Sequence, residues 1–117
     1  MPPKKSNPDQ AAAQIDAKIN NVLAELWKKN LPTVHERLDL LDKFGATASS
    51  GKIDEASRVE ALSIAHKLAG SLGMYGYQQG TEVASQMERI LKSPTPETLL
   101  TLRSLAVDLR KSLAAGL

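Results

Sequence analysis

The sequence predicts an all-α fold, an antiparallel up-and-down four-helix bundle with an additional N-terminal helix. Three observations lead there. Ala and Leu dominate an apolar fraction of 42% while aromatics supply only 3%, a mixture that favours helices over strands. Apolar residues recur every three or four positions, and no segment shows the period-two alternation of a half-buried strand. The breaks between these stretches are short, and short connections make successive helices antiparallel neighbours.

Residues 1–8 (MPPKKSNP) have three prolines, two lysines and no apolar periodicity, so they read as a flexible tail ahead of a single domain over 9–117. Asp9 can cap a first helix over about 9–30, in which Ile15, Ile19, Val22, Leu23, Leu26 and Trp27 recur at helical spacing. Pro32 suits the first turn of a second helix, where a proline loses no helical hydrogen bond. Val34, Leu38, Leu41 and Phe44 form that helix's apolar stripe, and Ala46–Lys52 is a small-residue connection with Gly51 near its end.

A third helix is expected from Asp54 to about Tyr75, with Ala61, Ile64, Ala65, Leu68, Leu72 and Tyr75 facing the core and Gly76 as its stop. A fourth, over about 77–92, places Tyr77, Ala84, Met87 and Leu91 on one face. Ser93-Pro94-Thr95-Pro96 breaks the chain, with Thr95 as a cap and Pro96 in the first turn of a fifth helix. Its stripe is Leu99, Leu102, Ala106, Leu109 and Leu113.

Length and composition exclude several functions. The chain has 117 residues, room for one domain. A net charge of +2 with no basic helix face and few aromatics argues against nucleic-acid binding. The lack of cysteine excludes disulfides, thiolate chemistry and Cys-based metal sites. No signal peptide is evident and no apolar run approaches the ~20 residues that span a bilayer, so a cytoplasmic protein with no membrane partner is expected. With every stripe buried in one bundle a monomer is expected, although the fifth helix could pair between chains.

The chemistry is concentrated in Ala65–Tyr77 (AHKLAGSLGMYGY). On a helix turning ~100° per residue, Ile64 and Leu68 lie roughly 160–200° from His66, which therefore points away from the core. Val59, Ser63, Gly70 and Gly73 share its outer face. An interior glycine costs a helix up to about 1 kcal/mol relative to alanine, so the pair needs a reason, and a surface stripped of side chains lets another backbone approach. For Gly73 a frayed helix end and tight turn is an equal alternative. Met74, Tyr75 and Tyr77 read as packing residues. A neutral imidazole is a good nucleophile toward phosphorus, and phosphoryl transfer asks chiefly for positioning and charge neutralisation. If a partner supplies Mg²⁺, an aspartate and a lysine, this chain need supply only the imidazole and a docking surface. His35 lacks such a setting and reads as a surface residue. Neither histidine has a ligand-like partner cluster, so no metal site is expected.

The stretch resembles the signature of histidine phosphotransfer (HPt) domains, roughly H-x-L-x-G-S followed by small and apolar residues and a second glycine. The matching residues are His66, Leu68, Gly70, Ser71 and Gly76. The resemblance extends through Ala84, Met87 and Glu88 on the next helix and upstream through LWKKNLPTVHERLDLLDKF, covering about 25–117. The AHKLAGSLG variant is similar to HPt modules of multidomain response regulators. The resemblance implies a phosphorelay carrier, phosphorylated on Nε2 of His66, with Gly70 permitting receiver docking and Ser63, Lys67, Ala69, Gly73 and Glu88 near the phosphate or the docking surface. It implies a response-regulator receiver domain as partner and a sensor histidine kinase, directly or through a receiver. No cofactor is expected on this chain, with Mg²⁺ held by the receiver. Many relatives carry a lysine three residues after the histidine. Here that position is Ala69, and Lys67 is the nearest lysine in sequence. The alternative is a helical interaction module that keeps the fold without phosphotransfer; the intact His66 and Gly70 argue against it. A fragment of a kinase's catalytic assembly is a further possibility, against which stands the lack of an ATP-binding segment.

Overall fold

The computed structural model describes the chain from Pro8 to Leu117, with side chains from Ala17 onward. The expected N-terminal tail lies outside the described residues except for Pro8, which opens the first helix. Among the described residues every regular element is helical: α1 (Pro8–Ala48), α2 (Glu55–Ser71), a 3-10 turn (Leu72–Tyr75), α3 (Gln78–Lys92), α4 (Pro96–Leu99), α5 (Leu102–Ser112) and a closing 3-10 turn (Ala114–Gly116). The chain divides into two compact units, one up to Leu31 and one from Pro32 onward. The second is the helical bundle.

The first two expected helices are one. α1 runs for 41 residues with Pro32 inside it, so the additional N-terminal helix is the first half of α1, and Asp9 lies within the helix. An interior proline costs a helix about 3 kcal/mol. Offsetting this, Val34, Leu38, Leu41, Phe44 and Ala48 follow immediately and are all buried. Gly45 is the close-approach point between α1 and α5: a methyl group on its Cα would come within 3.0 Å of Arg103 Cα. α1 ends as Ser49 and Ser50 donate hydroxyl hydrogen bonds to the carbonyls of Ala46 and Thr47. Gly51, at φ 82°, then reverses the chain.

Asp54 caps α2 by accepting from the Ser57 backbone N–H at 2.7 Å. Ala61, Ile64, Ala65 and Leu68 are buried along α2, and Leu72 continues the stripe. Gly76, at φ 92°, closes the segment in a Schellman arrangement: the Tyr77 N–H donates to Leu72 O and the Gly76 N–H to Gly73 O. α3 buries Gly80, Val83, Ala84, Met87 and Leu91. Arg58 Nη1 donates to the Leu91 carbonyl at 2.8 Å, tying the first turn of α2 to the last turn of α3.

The fifth expected helix is interrupted. Thr95 and Thr98 form a reciprocal capping box over α4, and Pro96 occupies its first turn. Then Thr101 Oγ1 donates to Thr98 O and Ser104 Oγ to Thr101 O. Hydroxyls bonding three residues back tighten the turn between α4 and α5. Leu99, Leu102, Ala106, Leu109 and Leu113 are nonetheless all buried, as the spacing predicts. Arg110 on α5 reaches Asp39 and Asp42 on α1 at 3.0 and 2.7 Å, a surface pairing that contributes about 0–1 kcal/mol.

Candidate functional site

α2 sets His66 by elimination. Ile64, Ala65 and Leu68 fill the core, which turns the intervening residue outward. The His66 side chain is 73% exposed. Its Nδ1 lies 2.5 Å from Oε2 of Glu88 on α3, whose side chain is only 15% exposed. Lys92, one turn beyond Glu88, approaches the same oxygen at 3.7 Å.

The electrostatics fix the tautomer. The hydrogen bond from His66 is the main reason the Glu88 carboxyl is held below the usual carboxylate range; desolvation opposes it and the Lys92 charge assists. Glu88 is therefore an anion at neutral pH and can only accept. The proton in the contact belongs to Nδ1, which leaves the Nε2 lone pair of the neutral ring as the nucleophile.

The surroundings of the ring are uneven. Ser63 and Lys67 are exposed and Ala69 is half-buried. Gly70 is exposed, and a methyl group on its Cα would meet nothing within 4 Å. Packing within this chain therefore does not require glycine there. Gly73 differs from the expectation of a second bare position: it lies in the 3-10 turn, and a methyl group there would come within 3.2 Å of Thr81 Oγ1 on α3. The helix gives way to the tighter turn at Leu72, which rotates Gly73 toward α3. Met74 is also corrected, for the same reason. It is exposed rather than packed, whereas Tyr75 and Tyr77 are half-buried; Val59 is exposed, in keeping with its place on the outer face. Beside the site, Thr33, Arg37 and Leu40 of α1 and Val59, Ser63 and Lys67 of α2 line a shallow groove.

Lys92 is the site residue that sequence reasoning misses. The signal is its i+4 spacing from Glu88, which carries meaning only once Glu88 is known to face His66. His35 is exposed on α1. The described residues hold no group of three or more His, Cys, Asp or Glu that could bind a metal, and no helix among them is long and apolar enough to cross a membrane.

A family model described as Hpt domain matches residues 22–115. Among curated proteins, Protein RcaC of Microchaete diplosiphon is 27% identical over 66 residues, covering 56% of this chain and 10% of that protein. The chain thus spans a tenth of the length of that relative. No solved structure matches the chain.

Proposed function

The chain belongs to the Hpt domain family, whose members carry out histidine phosphotransfer in phosphorelays, and on that premise we propose that it accepts a phosphoryl group on Nε2 of His66 and exchanges it with an aspartate of a receiver domain. The working domain would be the whole stretch expected over 9–117, spanning both compact units and acting in the cytoplasm. In the accepting step the Nε2 lone pair attacks the phosphorus of the receiver's aspartyl phosphate. The P–N bond forms, the P–O bond breaks, and the aspartate carboxylate leaves with its electron pair. The return step reverses this. Positive charge grows on the ring as the P–N bond forms, and the Nδ1–H···Glu88 hydrogen bond stabilises that charge where it develops. Lys92 moderates the negative charge that Glu88 brings to the neighbourhood of the incoming phosphoryl group.

The observation that carries the reading is an exposed imidazole whose Nδ1 is engaged by an anionic carboxylate, one helical turn from a glycine that nothing in the chain's own packing requires. The receiver would supply Mg²⁺ and its own lysine, so this chain acts as a carrier rather than an enzyme with independent turnover. Gly70, Ser63 and the groove beside Lys67 would form the docking surface, with Val59 and Met74 as its exposed apolar contacts.

The test is incubation with a phosphorylated receiver. Label stable to alkali and labile to acid should appear on this chain and vanish in His66→Gln, while circular dichroism shows the helices retained and the melt stays cooperative. Label persisting on the Gln variant would refute the assignment.

A further inference from the structure

The first half of α1 carries an apolar row that the described chain leaves open. Trp27 is buried and Leu23 half-buried, but Ile19, Val22 and Leu26 are 50%, 59% and 40% exposed. These three residues follow one another at spacings of three and four, the a/d repeat of a two-stranded helical seam. Scattered surface apolar residues need no explanation, but a row in seam register does.

We infer that this row pairs with the same row of a second copy of the chain, the two helices antiparallel, with Ile19 of each opposite Val22 of the other. Charge selects both orientation and register. Lys18 and Glu25 flank the row at equivalent positions one heptad apart. In the antiparallel register stated, Lys18 of each copy faces Glu25 of the other, twice over by symmetry. Sliding by one heptad in one direction sets Lys18 against Lys18, and in the other sets Glu25 against Glu25. A parallel in-register pair instead faces Lys18 with Leu23 and Glu25 with Asn30, so neither charge meets an opposite charge across the seam, and Glu25 keeps only the Lys28 of its own chain, 3.9 Å away. Exposed pairs add little affinity, but they discriminate among otherwise similar arrangements.

Length agrees with the same register. It sets Pro8, the first residue of α1, opposite Thr33 of the second copy. The paired stretch therefore ends one residue short of Val34, where the row turns into the chain's own buried core. The monomer expected from the sequence supposes that every apolar stripe is covered within one chain, and this one is not. The inference does not rest on the phosphotransfer reading, in which Lys18, Ile19, Val22, Glu25 and Leu26 have no role.

The test is sedimentation equilibrium of the full chain from micromolar to millimolar concentration. Reversible dimerisation is expected, lost in Val22→Asp without change in helicity or melting, since Val22 is exposed. Lys18→Glu should weaken the dimer and Lys18→Glu with Glu25→Lys should restore it. The chain has no cysteine, so introduced thiols report register directly. A mixture of Ile19→Cys and Val22→Cys chains should oxidise predominantly to the mixed disulfide. A wild-type monomer across the whole range, a dimer indifferent to Val22→Asp, or cross-links confined to identical positions would each overturn the inference.

Discussion

Glu88 and His66 stand 22 positions apart in sequence, yet Glu88 Oε2 sits 2.5 Å from the imidazole Nδ1 across the α2–α3 interface. The carboxylate does for this ring what an outer-shell acceptor does for a metal-binding histidine: it fixes tautomer and orientation. Glu88→Ala should therefore slow phosphorylation of His66 on the order of 10–100-fold, the usual effect of removing such a partner. Glu88→Gln keeps an acceptor oxygen without the charge and should retain more of the rate. Rapid-quench transfer kinetics from a phosphorylated receiver separate the two. Equal rates in all three chains would show that the contact does not tune the ring.

The glycines should divide by what lies beside them. Gly70→Ala has space for its methyl group and should raise helix stability by up to about 1 kcal/mol. Gly70→Arg should leave folding intact and sharply reduce transfer by obstructing the receiver. Gly45→Ala should do the opposite. Its methyl group would press within 3.0 Å of the Arg103 backbone, and overpacking of this kind costs roughly 1–3 kcal/mol. Denaturant melts paired with transfer assays check both halves.

Acid should unfold the chain by removing two carboxylate interactions. Glu88 is lowered from 4.5 by its bond to His66, and Asp54 is lowered from 3.8 by the Ser57 backbone and side chain. A group depressed in the folded state stabilises the fold above its unfolded value and loses that contribution as pH falls through its folded value. The melting temperature should thus hold these contributions above about pH 5 and lose them progressively below. Asp54→Asn should flatten part of the fall. A fall of unchanged steepness in that variant would remove the cap from the account.

Core and cap changes give a scale against which to judge the site variants. Leu68 is fully buried directly beneath the histidine's turn, and Leu68→Ala should cost about 2–5 kcal/mol through the cavity it leaves. Thr95→Ala removes the hydroxyl that accepts from the Thr98 N–H, leaving the Thr95 N–H bond to the Thr98 hydroxyl in place, and should cost about 1 kcal/mol. Urea titrations measure each.

The helix positions and the core were legible because burial imposes a period that survives in single residues. Leu99, Leu102, Ala106, Leu109 and Leu113 are buried at the predicted spacing even though the helix carrying them is broken at Leu100–Thr101. The outward turn of His66 followed from the same arithmetic. What could not be read was decided across helices or between competing local terms. Pro32 signals a helix start, but burial of the residues after it carries α1 straight through. Gly73 falls on the outer face of an ideal helix and turns inward only because the 3-10 geometry begins at Leu72. Lys92 has no meaning until the α2–α3 register brings Glu88 to the ring.

That register has a mechanical anchor. Arg58, two turns before His66, holds the carbonyl of Leu91, which adjoins Lys92 and lies a turn past Glu88. The imidazole and its carboxylate are thus parts of a clamp that exists only while two neighbouring rods are locked against sliding. A chain whose helices persisted but whose lateral fit had loosened would look intact to far-ultraviolet light, yet its histidine would have lost the carboxylate that aims it.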